Sequence, residues 1–381
     1  MSETATSANL ERARKLHQES IVIDMLFQGP IGTYALPQEL EEKLLREAQA
    51  AHPGNEVAQI GFASEWLRRA YTNGELSGLY EQCWRESGIT AACRQLSISS
   101  KDSLLTSMVH VQQEFDSKPW LIKTKGADDI RRAHETGNHA GIVTSQEAAG
   151  YGKDLGLLEL AHDFGLRVQQ LTYNNHNLIG AGCMEPNDAG LSKFGMDFVR
   201  KCNELGIIVD TSHCGRQTTL DACSTSSRTV VATHTGANAV NAHERCKSDE
   251  EIRAIAETGG VIGIFTMPWF TAPDPDNTTL EHVADHIDYV ANLVGIDHVG
   301  IGTDWPMTQT QWMALAFKRL IAPTIGFAPG DGPSTEIVHG LRDYRDFPNI
   351  TSTLLDRGYS EADTAKVIGG NWLRVIGDIC A

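Results

Sequence analysis

The stretch IIVDTSHCGRQTTLDACSTSSRTVVATH, residues 207–234, decides the fold. It opens on a β-branched run, Ile207-Ile208-Val209-Asp210-Thr211-Ser212-His213, and closes on a second, Thr229-Val230-Val231-Ala232-Thr233-His234. A helix-length segment lies between them. Two neighbouring parallel strands joined by a helix account for that pattern, and each strand ends in a histidine. Strand C-termini are where α/β enzymes place their chemistry, so both imidazoles are expected at one edge of one sheet.

The same rhythm runs through most of the chain. Strand-like runs fall at 21–25, 89–93, 140–145, 167–172, 207–211, 229–233, 261–266 and 298–302. Amphipathic helix patterns separate many of them, at 154–164, 194–205, 216–224, 249–258 and 280–294, several followed by a glycine suited to a left-handed cap (Gly165, Gly206, Gly259, Gly295). Eight strands with helical connections predict an α/β fold, a (β/α)8 TIM barrel, over residues 1–381 as a single domain. An open doubly wound sheet is the rival, and no G-x-G-x-x-G follows the first strand to favour it. Residues 31–87, after strand one, read as a helical insertion. Residues 305–347, after strand eight, read as a loop insertion. Both follow strand C-termini and should cover the mouth.

The 381 residues carry 49 Asp+Glu against 32 Lys+Arg, a net charge of −17, which disfavours nucleic acid and anionic membrane surfaces as partners. No run approaches the roughly 18 apolar residues of a membrane span, and the first twenty residues lack the basic start and apolar stretch of a signal peptide. The eight cysteines form no C-x-x-C pair and are expected reduced, so the expected location is cytoplasmic.

Four strand ends carry ligand-type residues: Glu147, His213, His234 and Asp304. One strand-end histidine is more often a hydrogen-bonded structural residue than a ligand. Two in succession, with Glu and Asp at other ends, point to a metal site suited to zinc, with manganese or iron as alternative occupants. A metal there would acidify a bound water and polarise a carbonyl, and an ionised Asp304 could move the proton to a leaving amine. His282 and His286, at helical i, i+4 spacing, are expected on a helix face away from the mouth.

These residues also carry a resemblance. Asp210-Thr211-Ser212-His213, Thr233-His234, the stretch from Asn241 to Asp249 and the stretch from His298 to Asp304 resemble the membrane (renal) dipeptidases of the amidohydrolase superfamily, as do Phe347 to Ile350 and Gly369 to Arg374. The resemblance implies a metallohydrolase whose Glu147 bridges two metals, whose His213 and His234 ligate the second, and whose Asp304 contacts the first metal and the attacking water. It implies that Arg245 holds a substrate carboxylate, and that the protein is a homodimer. The chain departs from the family twice. Leu26 and Gln28 stand where a strand-one His-x-Asp pair supplies ligands, so one zinc ion is expected rather than two, on Glu147, His213 and His234 with Asp304 as acid/base. Tyr173 stands where a histidine polarises the scissile carbonyl, and is expected to contact substrate and donate one hydrogen bond to the oxyanion. The expected activity is cleavage of an amide bond in a small carboxylate-bearing substrate, a dipeptide or N-acyl amino acid. The alternative is a non-hydrolytic tailoring step, a lyase or isomerase reaction, on the same scaffold.

Overall fold

The structure is a computed structural model that describes residues 3–26, 36–304, 312, 319–320, 322–328, 332, 338–341 and 344–380. Nine strands form it: β1 (Ile23–Asp24), β2 (Ala91–Gln95), β3 (Leu121–Lys123), β4 (His139–Ser145), β5 (Leu166–Gln170), β6 (Ile208–Asp210), β7 (Val230–Thr235), β8 (Ile262–Ile264) and β9 (Val299–Ile301). All pairings are parallel, in the order β1-β2-β4-β5-β6-β7-β8-β9. The circle closes by Met25 N–H donating to Ile301 O at 3.2 Å and Asp304 N–H donating to Leu26 O at 2.8 Å. This is the eight-stranded (β/α)8 barrel expected from the sequence.

Strand β3 was not foreseen. Its three residues pair with the start of β4 (Leu121↔His139 to Lys123↔Gly141), whereas β5 joins β4 only from Val143 onward. The short strand occupies an edge of β4 that β5 leaves open below that point, which satisfies backbone groups that burial would otherwise strand.

Alternation along the strands separates two cores. Ile23, Met25, Ala91, Ala140, Ile142, Val168, Ile208, Val231 and Val261 pack together inside the barrel, where Trp372 closes one end and donates its indole N–H to Ile301 O at 2.9 Å. Residues one step out of phase, among them Ala92, Val143, Val209, Val230 and Ile262, pack against the helical layer. Helices Leu155–Phe164, Lys193–Leu205, Arg216–Thr225, Asp249–Glu257 and Leu280–Val294 match the sequence patterns closely. Gly206 ends one of them at φ 72°, a conformation that only glycine adopts without strain.

The first insertion is helical, as expected, with helices Gln38–Ala51, Glu56–Asn73 and Ser77–Ser87. Most of the second, 305–347, lies outside the described residues, as does Gln28. His286 departs from expectation. It is buried, accepting Ala237 N–H at Nδ1 (2.9 Å) and reaching Thr271 O with Nε2 (3.0 Å), so it ties its helix to the loop after β7. All eight cysteines are free thiols.

Candidate active site

Strands β6 and β7 deliver His213 and His234 to one point. Their Nε2 atoms lie 2.9 Å apart and both side chains are buried. The partners of the other ring nitrogens settle what those Nε2 atoms present. His213 Nδ1 meets Asn174 Oδ1 at 2.7 Å, an oxygen that also receives the Cys183 thiol at 3.8 Å. An oxygen can only accept, so Nδ1 carries the proton and Nε2 the lone pair. His234 Nδ1 meets Thr233 Oγ1 at 2.8 Å. That hydroxyl donates its hydrogen to Asp210 Oδ2 at 2.6 Å, so it accepts from His234 Nδ1–H. Here too Nε2 is left with its lone pair. Burial, reinforced by Arg245, holds both imidazoles far below their ordinary pKa, so both are neutral.

Two lone pairs aimed at each other across 2.9 Å repel unless a cation sits between or beside them. Outer partners that fix both tautomers this way are what a histidine metal site requires. The donor set at this pair therefore fits a divalent ion.

Asp210 is the strut of this arrangement. Its Oδ1 accepts from Ser212 N (2.9 Å), Ser212 Oγ (2.6 Å) and Thr233 N (2.9 Å). The barrel repeats the device where it closes. Asp24 Oδ1 accepts from Leu26 N (3.2 Å) and Thr303 N (2.9 Å), and Oδ2 from Thr303 Oγ1 (2.6 Å). Each strut clamps a threonine at the end of a neighbouring strand, and the residue after that threonine is His234 in one case and Asp304 in the other. Burial raises the pKa of both struts, Asp24 to about 7 with the Asp304 charge adding to the effect. Asp304 itself is half-buried with φ 53°, a left-handed conformation rare outside glycine.

Tyr173 stacks on His213 with ring centroids 4.2 Å apart. It keeps 42% of its surface open, yet desolvation by the surrounding protein pushes its phenol up to about 12, with Asp304 acting in the same direction. The phenol thus stays protonated at neutral pH and can donate. Neighbouring His176 is exposed. Arg245 is 1% exposed. Its Nη1 donates to Ser212 O (2.7 Å), Nη2 reaches His234 O (3.5 Å), and the guanidinium lies 5.7 Å from the Phe270 ring centroid.

Glu147 is not brought to the histidine pair. Its Oε1 accepts from Ala148 N (2.7 Å), Ala149 N (2.8 Å) and Asn177 Nδ2 (2.9 Å), which tie the carboxylate between its own loop and the loop after β5. Among the described residues no group of three His, Cys, Asp or Glu side chains converges as a metal site. Glu147 lies two residues past the end of β4, in a turn where Ser145 Oγ bonds its backbone, whereas Gln146 reaches Gln95. Leu26, in the strand-one position read as a missing ligand, is buried among apolar side chains. Asn174, Thr233 and Asp210 were given no role from the sequence. Asp210 and Thr233 stand in the motifs that carry the resemblance, and Asn174 gave no signal in the sequence.

Comparison with known proteins gives the family and the fold. The family model described as membrane dipeptidase (peptidase family M19) matches residues 10–322 and 324–380. The chain belongs to that family. That family is one of metal-dependent enzymes, and the barrel is similar to that of an amidohydrolase. Dipeptidase tcpJ of Claviceps purpurea is 31% identical over 255 residues, 66% of this chain but 54% of that protein, so the match spans about half of that relative's length. Dipeptidase aclJ of Aspergillus oryzae is 31% identical over 321 residues, 82% of this chain and 68% of its own. Among solved structures, an amidohydrolase from Pseudomonas aeruginosa superposes with a TM-score of 0.74 at 29% identity, covering 96% of this chain and 98% of that one. A metallo peptidase from Rhodobacter sphaeroides, liganded with a phosphinate mimic of L-Ala-D-Ala, superposes with a TM-score of 0.67 at 21% identity, covering 94% and 99%, and shares the fold. No helix of the described residues is long and apolar enough to cross a membrane.

Proposed function

We propose that this barrel, residues 1–381 as one domain, hydrolyses an amide bond in a small carboxylate-bearing substrate, a dipeptide or an N-acyl amino acid. The observation that carries the reading is the His213–His234 pair with both lone pairs fixed on one point. The names of the relatives and the dipeptide mimic bound by a protein of the same fold support the substrate class.

A divalent ion held by the two Nε2 atoms, zinc first by donor chemistry and manganese or iron as alternatives, would supply Lewis acidity and an acidified water. One ion per chain is proposed rather than two, because buried Leu26 offers no ligand and the Glu147 Oε1 atom is taken up by Ala148, Ala149 and Asn177. Asp304, at the mouth between β9 and β1, takes a proton from the attacking water oxygen and returns it to the leaving amine nitrogen. Tyr173, protonated at neutral pH, donates to the oxygen that becomes negative. Arg245 provides the fixed positive charge for the substrate carboxylate, its guanidinium oriented by the carbonyls of Ser212 and His234.

Elemental analysis of the purified chain, combined with amine release from a panel of dipeptides and N-acyl amino acids, tests the reading. One ion per chain, amide cleavage, and loss of turnover in Asp304→Asn are expected. Two tightly held ions refute the single-ion centre. Full turnover in Asp304→Asn refutes its role. Turnover of the panel without amide cleavage moves the protein to the lyase or isomerase alternative.

A further inference from the structure

Beside the histidine pair, β2, β4 and β5 line the mouth with neutral amides. Gln95, Thr144 and Gln170 continue the inward alternation of Ala91, Ile142 and Val168, and Gln146 follows just beyond β4. Gln146 Nε2 donates to Gln95 Oε1 at 3.0 Å. Gln170 Nε2 donates to the carbonyls of Gln146 and Thr172, the latter at 2.8 Å. Four polar atoms of this group have no hydrogen-bond partner: Gln95 Nε2, Thr144 Oγ1, Gln146 Oε1 and Gln170 Oε1. Gln170 is 0% exposed and Thr144 3%.

A buried polar group without a partner is costly, and four at the catalytic end of one barrel wall demand an occupant or a function. The inventory is independent of how the amides are turned. Gln170 is pinned by two carbonyls, which only a nitrogen can serve, so its oxygen is the orphan. Exchanging O and N in both Gln95 and Gln146 keeps their mutual bond and still leaves one orphan donor and one orphan acceptor. The wall therefore presents one N–H donor, two carbonyl acceptors and one hydroxyl.

A carboxylate has no hydrogen for the two carbonyl oxygens and is repelled by them. An ammonium leaves the N–H donor unmet. A primary carboxamide supplies two N–H donors for the two carbonyl oxygens and one carbonyl oxygen whose two lone pairs can take both the amide N–H and the Thr144 hydroxyl. We infer that the β2–β5 wall is a subsite for an uncharged primary carboxamide, entering where the single Gln95–Gln146 side-chain bond yields. Resting on the small-amide reading above, the inference names the substrate class as amides carrying a glutamine-like side chain.

Binding of glycyl-L-glutamine, glycyl-L-glutamate and glycyl-L-methionine to the full chain, followed by ligand-observed NMR, tests it, and the same spectra report cleavage. Glycyl-L-glutamine is expected to bind about tenfold tighter than either analogue, since each loses hydrogen bonds or leaves buried groups unpaired. In Gln170→Met the preference should fall below about threefold. Gln95→Met gives the same reading if that variant does not fold. Equal affinities, the result expected if these groups hold ordered water only, overturn the subsite. So do tighter binding of the glutamate peptide, no binding of any of the three, or a preference that survives in the folded variant. A glutamine preference without cleavage retires the hydrolase reading and leaves the subsite standing, whereas cleavage without preference does the reverse.

Discussion

Replacing Asp210 by asparagine changes no bulk, yet it should move a proton on His234 two bonds of influence away. In the native barrel Asp210 Oδ2 takes the Thr233 hydroxyl hydrogen at 2.6 Å, which obliges Thr233 Oγ1 to accept from His234 Nδ1 at 2.8 Å. In Asp210→Asn the side-chain oxygen is held by its three donors, Ser212 N, Ser212 Oγ and Thr233 N. The amide nitrogen then faces Thr233 Oγ1 and donates to it. The hydroxyl must send its own hydrogen elsewhere, and His234 Nδ1 is the nearest acceptor, so the ring proton moves to Nε2. To recover the metal-competent tautomer the hydroxyl has to turn to Ser212 Oγ at 3.1 Å, a longer bond to a neutral group. The difference between a charge-assisted bond and that substitute is about 1–2 kcal/mol. Zinc affinity should therefore fall by roughly 5- to 30-fold, in the range typical of outer partners of histidine ligands. Calorimetric titration with zinc reads the affinity, and long-range proton–nitrogen correlation spectra read the tautomer. An unchanged Nδ1–H tautomer together with native affinity would refute the reasoning.

Asp24→Asn should flatten the pH dependence of stability between about pH 4 and 7. The folded pKa of Asp24, about 7, lies above its value of 3.8 when solvated, so the native state holds the extra proton in this window and stability falls as pH rises through it. Three units correspond to roughly 4 kcal/mol, and urea midpoints of both proteins across pH 4–8 measure it. A parallel slope in the variant would exclude Asp24 as the source. Gly302→Ala places a methyl on the Thr233 carbonyl where β9 passes the β7 strand end. It should cost more than about 3 kcal/mol in denaturant unfolding, as a backbone clash that no rotamer relieves. Trp372→Ala empties the closed end of the barrel, where the indole is fully buried and bonded to Ile301 O. A loss of about 3–5 kcal/mol is expected, with zinc binding retained if the protein folds.

Most of the barrel could be read along the chain because its causes are local. Apolar runs of five or six residues followed by helix-period segments reveal the eight strands that close it, and β3 escapes because three residues carry no period. The histidine pair was legible for the same reason: both side chains end strands that are consecutive in sequence and parallel in space. That Leu26 has no atom able to ligate a metal is likewise written in residue identity.

Other features depend on which face a residue takes, and that is settled by packing. Glu147 has the chemistry of a ligand but lies past the end of β4, where Ala148, Ala149 and Asn177 hold its carboxylate, while Gln146 reaches Gln95. Arg245, which the resemblance assigns to a substrate carboxylate, is buried with its guanidinium on two carbonyls at the ends of β6 and β7. The tautomers of His213 and His234 rest on Asn174, Thr233 and Asp210, the first of them 39 residues from its histidine. Sequence alone determined the barrel and the histidines, since periodicity and residue type act over a few positions. Tertiary structure decided which carboxylates and amides face them, because a period-two pleat reverses a side chain with every single step.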